Sequence, residues 1–121
     1  MSKYVLAAVD DLFFAAKIRA AAEEAGLEVG FGKSVEGVLE RARSESPSLI
    51  IADLHSARCD PFALAQQLKE DEKLRDVPLI GFFSHVQTEL QRRAVESGFN
   101  RVWARSAFSK NLIEILKGAV N

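Results

Sequence analysis

Three aspartates carry the chemistry this chain could perform. Asp10 and Asp11 follow the apolar run Tyr4-Val5-Leu6-Ala7-Ala8-Val9, and Asp53 follows a second such run, Leu49-Ile50-Ile51-Ala52. Carboxylates held a few ångströms apart raise one another's pKa unless something positive intervenes. The natural partner is a hard divalent cation: Mg2+ takes one or two carboxylates, keeps several waters and completes its shell with phosphate oxygens. With the charge balanced in this way, a carboxylate can attack phosphorus and form an acyl phosphate. The metal and a nearby cation then stabilise the charge on the transferred group. Taken singly, each aspartate has a plainer role open to it. Asp11 suits the N-cap of a following helix, and Asp53 suits a loop. Only proximity in the fold makes a set of them.

The elements that must supply that proximity alternate along the chain. Tyr4–Val9 reads as a buried strand, apolar without period-2 alternation. Leu12–Ala25 repeats its apolar residues at helical spacing and stops before Gly26, which sits where a C-cap glycine belongs. A short strand, Leu27–Phe31, precedes a helix capped by Ser34 that runs to about Arg43 and ends at Ser46-Pro47. Leu49–Ala52 is the third strand. Asp60 and Pro61 open a helix to Asp71, as cap and first helical residue. Pro78–Phe83 is the fourth strand, Val86–Ser97 a helix stopped at Gly98, Arg101–Ala104 the fifth strand and Phe108–Val120 the last helix. Five strands alternating with five helices predict an α/β fold, an open parallel sheet covered on both faces. Right-handed crossovers favour the doubly wound order 2-1-3-4-5. The chain then reverses direction between strands 1 and 3, and ligands bind at the carboxyl ends of the strands flanking such a switch point. That is where Asp10, Asp11 and Asp53 fall.

Composition narrows the setting. The 121 residues are 48% hydrophobic and 27% charged, with a net charge of −1. This suits one globular domain over residues 1–121 and gives no basic surface for nucleic acid or anionic membranes. No window approaches the ~18 apolar residues of a membrane span, and the apolar N-terminal run is too short for a signal segment. The single Cys59 allows no internal disulfide and fits a reducing compartment, so the expected location is the cytoplasm. His55 and His85 could flank the site, but neither has metal-ligand spacing with Cys59. FGKSVEG lacks the glycine spacing of a phosphate-binding loop.

On these residues the chain resembles the receiver domains of two-component response regulators. VDDLFFAAKIRAAAEEAG is similar to their acidic pair and first helix, LIIADL to their phospho-accepting aspartate, and ESGFNRVWARSAF to their last strand and basic residue. The resemblance spans essentially the whole chain. It implies a flavodoxin-like (βα)5 three-layer sandwich and a phosphorelay signalling module rather than an enzyme. Asp53 would be the phosphoacceptor. Asp10, Asp11, Asp53 and the backbone carbonyl of His55 would hold Mg2+. Arg105 and a hydroxyl residue would engage the phosphoryl group. The implied partners are a histidine kinase or phosphotransfer protein and a downstream protein target, met on the face of the fourth helix, fifth strand and fifth helix. The chain would act as a monomer or weak dimer.

The chain also departs from the family's pattern, mostly on the half that responds to phosphorylation. Strict spacing puts Phe83 in the hydroxyl slot, whereas chemistry favours Ser84, which a register shift around His85 would bring there. Arg105 stands where a lysine is usual, keeping the charge in a longer, planar, forked group. Ser106 replaces the following proline, and Val102 replaces the switching aromatic, with Trp103 one residue on. Ser56 and Ala57 replace Met-Pro after the phosphoacceptor, and Pro61 replaces a glycine. Two alternatives therefore stand beside the phosphoacceptor. One is a pseudo-receiver that binds partners without phosphorylation; the other is a metal-dependent phosphatase or hydrolase on the same scaffold, which lacks a second acid/base pair in the sequence.

Overall fold

The computed structural model describes residues 4–84 and 88–118. Strands β1 (Tyr4–Ala8), β2 (Glu28–Phe31), β3 (Leu49–Asp53), β4 (Leu79–Phe83) and β5 (Arg101–Ala104) form one sheet in the order β2-β1-β3-β4-β5. Every pairing is parallel, with Leu6 opposite Ile50, Ile51 opposite Ile80 and Phe82 opposite Trp103. The helices are α1 (Leu12–Glu24), α2 (Val35–Glu45), α3 (Pro61–Glu70), α4 (Thr88–Ser97), α5 (Arg105–Lys110) and α6 (Leu112–Leu116). None of them is long and apolar enough to cross a membrane.

The central strands lack polar alternation because both faces of the sheet are covered. On one face, Leu6, Ala8, Ile50, Ala52, Leu79 and Phe83 pack with residues of α2, α3 and α4. On the other, Val5, Ala7, Ile51, Ile80 and Phe82 pack with residues of α1, α5 and α6. Phe82 stands at the centre of the second cluster, with ring centroids 4.6 Å from Phe14 and 5.0 Å from Phe108. The doubly wound architecture expected from the sequence is therefore observed, as is its strand order.

Local signals set most of the boundaries. Asp60 Oδ1 accepts hydrogen bonds from the amides of Phe62 and Ala63, with Pro61 at the first helical position. Ser34 Oγ accepts from Gly37 N at 3.0 Å. Gly26 lies just past α1 with φ 74°, the left-handed region that glycine enters without steric cost. Two segments differ from expectation. The expected helix Phe108–Val120 starts earlier, at Arg105, and is interrupted at Asn111, whose φ of −110° leaves the helical range. There the Asn111 side chain donates to Ala107 O at 2.9 Å, so an amide side chain bonds the preceding turn at the break. The expected helix Val86–Ser97 is described from Thr88; Val86 and His85 lie outside the described residues.

Candidate functional site

The carboxyl ends of β1 and β3 adjoin because these strands are neighbours in the sheet. Asp53 is the last residue of β3 and half-buried. One of its oxygens, Oδ1, accepts from the His55 amide at 2.9 Å. Burial is the main influence on its ionisation and pushes its pKa up. The His55 amide, the His55 ring and Arg105 oppose that, and the Asp10 charge adds to it. Desolvation thus outweighs the hydrogen bond and the positive charge around the Asp53 carboxyl.

Asp10 and Asp11 lie beyond β1, which ends at Ala8. Asp10 Oδ2 accepts from Ser56 Oγ at 2.9 Å and from Arg58 N at 3.3 Å, which binds the loop after β3 to the loop after β1. Ser56 Oγ also accepts from Cys59 N at 3.1 Å. Asp11 faces a different set of partners. Its Oδ1 caps α1, accepting from Phe13 N at 2.9 Å and Phe14 N at 3.2 Å, while Oδ2 accepts from Arg105 Nη2 at 2.7 Å. The Arg105 hydrogen bond, followed by the Phe14 amide, holds the Asp11 carboxyl below the usual carboxylate range. Arg105 also lies over the Phe14 ring, 4.5 Å from its centroid.

The remaining candidates are less closely engaged. His55 is exposed, and so is Ser84, which directly follows β4. The Ser84 hydroxyl makes no hydrogen bond among the described residues. Phe83, the alternative for the hydroxyl slot, ends β4 and is 5% exposed within the apolar cluster that contains Ala52 and Leu54. Trp103 is half-buried against the other cluster, consistent with a core role, with the Arg101 guanidinium over its ring. Cys59 is buried, and burial together with the Asp10 charge pushes its thiol up to about 11, far from a reactive thiolate.

As a magnesium cage, the expected set does not fit as it stands. Both Asp11 oxygens are taken by protein donors, and one oxygen of Asp10 and one of Asp53 are likewise engaged. Among the described residues, no group of three or more His, Cys, Asp or Glu side chains is arranged to hold a metal ion. Sequence reasoning also missed two participants. Ser56 stands three residues before Cys59 in the spacing of a side-chain-capped turn, a signal that was present. Phe14 gave no signal, because its role depends on where Arg105 reaches.

No protein-family model and no curated protein matches this chain. Solved structures do. A chemotaxis response regulator, CheY4 of Vibrio cholerae, superposes with a TM-score of 0.85 at 16% identity, over 99% of this chain and 100% of that one. A response regulator from Thermotoga maritima gives 0.82 at 17%, over 99% and 98%. The phosphorylated cyanobacterial phytochrome response regulator RcpA gives 0.81 at 19%, over 98% and 91%. At such identities the agreement is one of backbone architecture, and it is near complete along the chain: the protein has the fold of a response-regulator receiver domain.

Proposed function

We propose that the chain is a receiver-type module of phosphorelay signalling in which Asp53 accepts a phosphoryl group. One observation carries this reading. Asp53 ends β3 at the sheet's switch point, half-buried with its pKa raised, and the Arg105 charge acts on it. A carboxylate oxygen of Asp53 would attack the phosphorus of a phosphohistidine on a kinase or phosphotransfer protein. The P–O bond forms as the P–N bond breaks, and the imidazole leaves and takes up a proton. Arg105 supplies positive charge beside the acceptor. Mg2+ joins this reading only once Asp11 is released from Arg105. The downstream partner would meet the face formed by α4, β5 and α5. The test is intact-protein mass after incubation with acetyl phosphate and, separately, with a phosphorylated histidine phosphotransfer protein. A single phosphoryl adduct, absent in Asp53→Asn, is expected. No adduct under either donor would overturn the assignment.

A second reading is favoured by Phe83 and by the Asp11–Arg105 pair: an interaction module that works without phosphorylation. The hydroxyl slot as strict spacing defines it is filled by a buried ring, and the acidic pair is engaged internally. Under this reading a docking partner binds wild type and Asp53→Asn with equal affinity. A marked difference between the two would exclude it.

A further inference from the structure

The loop from Leu54 to Asp60 joins β3 to α3 and borders Asp53, and it contains neither proline nor glycine to set its course. Backbone pairing secures only its beginning: Leu54 N donates to Phe82 O at 3.0 Å, and Ser56 N to Asp53 O at 3.1 Å. The amides of Arg58 and Cys59 turn instead to side chains, at 3.3 Å to Asp10 Oδ2 and at 3.1 Å to Ser56 Oγ. Cys59 is 1% exposed within the apolar layer under α2 and α3, so packing fixes its position and its amide needs a partner.

Ser56 connects these points. Its hydroxyl accepts from the fixed Cys59 amide and donates to Asp10 Oδ2 at 2.9 Å. A hydroxyl has one proton to give and lone pairs to receive with, so the two bonds use it in both directions and hold its rotamer. One oxygen atom thus ties the end of β1, the loop after β3 and the approach to α3. Two further bonds carry the tie to Asp53. Ser56 N donates to its carbonyl, and His55 N, one residue earlier, donates to its Oδ1 at 2.9 Å. Among the described residues, no other hydrogen bond reaches the Asp53 carboxyl. Its direction therefore depends on a loop whose second half is held through Ser56. Direction matters in a displacement at phosphorus, where a misplacement of about 1 Å can cost roughly a hundredfold in rate.

We infer that Ser56 is a positioning residue: by clamping the loop to Asp10, it fixes the His55 amide and, through it, the direction of the Asp53 carboxyl. The effect on transfer rests on the reading of Asp53 as phosphoacceptor; the clamp itself does not.

The test compares wild type, Ser56→Ala and Ser56→Thr in two measurements. The first is amide exchange with water, read by NMR with no phosphodonor present. In Ser56→Ala the Cys59 amide loses its acceptor. The His55 amide, which is not bonded to the hydroxyl, should also exchange several times faster, because the loop that carries it is released. The second is the initial rate of adduct formation with acetyl phosphate, read as intact-protein mass. There an Asp53 oxygen bonds to phosphorus as the bond from phosphorus to the acetyl oxygen breaks, and acetate leaves. Ser56→Ala should slow this step by roughly ten- to hundredfold. Ser56→Thr keeps the hydroxyl and should return both readouts close to wild type.

A His55 amide that exchanges equally in wild type and Ser56→Ala overturns the clamp. An adduct that forms as fast on Ser56→Ala as on wild type overturns the positioning role and leaves the phosphoacceptor reading standing. A Ser56→Thr protein as slow as Ser56→Ala assigns the loss to packing rather than to the hydroxyl, and overturns the inference as well. No adduct on wild type overturns the phosphoacceptor reading instead, and the exchange measurement alone then decides the clamp. Should Ser56→Ala fail to fold by circular dichroism, Ser56→Cys takes its place, close in size but with a thiol that donates weakly.

Discussion

Asp53 bears a cost that Asp11 does not. Asp11 is held by a guanidinium and two amides, and its pKa falls. Asp53 loses water to burial, receives one backbone amide in return, and its pKa rises. An acid whose folded-state pKa lies above its unfolded value is favoured, relative to the unfolded chain, at low pH. That advantage is full below the unfolded pKa and is lost as pH rises through the folded one. At neutral pH the ionised Asp53 therefore works against folding. Asp53→Asn, close in shape and uncharged, is expected to raise the Tm at pH 7. The difference from wild type should shrink as pH falls toward about 4, where an unfolded aspartate protonates. Thermal melts of both proteins across that range measure it, and an Asn variant that melts lower at pH 7 would contradict the role given to burial.

At the scale of elements, the site depends on how closely the strands and helices can approach. Gly81 lies in the middle of β4 and opposes Ala52 across the ladder. A Cβ at this position would stand 2.9 Å from a Phe99 ring carbon and 3.1 Å from Leu54 Cδ2. Phe99 and Leu54 are 3% and 4% exposed, so neither can swing into solvent to make room. Glycine here permits the ring that follows α4 to press directly on the strand beside Asp53. Gly81→Ala should destabilise the protein by roughly 1–3 kcal/mol, the usual range for overpacking a filled core. Denaturant unfolding reads this as a lower midpoint with an unchanged slope. A neutral result would mean that the Phe99 ring is not confined as its burial indicates.

Over the whole molecule, two apolar layers hold the switch-point edge together from opposite faces of the sheet. The layer under α1, α5 and α6 is built on the Phe14–Phe82–Phe108 cluster, and Arg105 rests on the same Phe14 ring. Aromatic packing on that face thus continues into the charged site. Phe82 is 1% exposed. Phe82→Ala should cost about 3–5 kcal/mol through lost burial and the cavity left behind, a large share of the ~5–15 kcal/mol that a small domain has. It should also loosen the seat of Arg105. Calorimetry checks the first effect, and broadening of the Arg105 side-chain NMR signals checks the second.

The order of elements and their starts at Ser34, Asp60 and Pro61 were legible in the sequence, since capping and apolar periodicity act over a few residues. The strand order followed from the strict βα alternation through the handedness of crossovers. The three aspartates were legible as candidates for the same reason, each ending an apolar run. Their partners were not. Asp11 is paired with a residue 94 positions away, and nothing local selects Arg105 for it over Asp53. Phe83 and Ser84 differ by one position along the chain, but a buried ring and an exposed hydroxyl are separated only when β4 takes its register beside β3. The break at Asn111 likewise interrupts a pattern that reads as one helix. Sequence alone determined which elements form and where the acidic residues fall on them. Tertiary structure decided which charge meets which, because that depends on distances between side chains that only packing brings within reach.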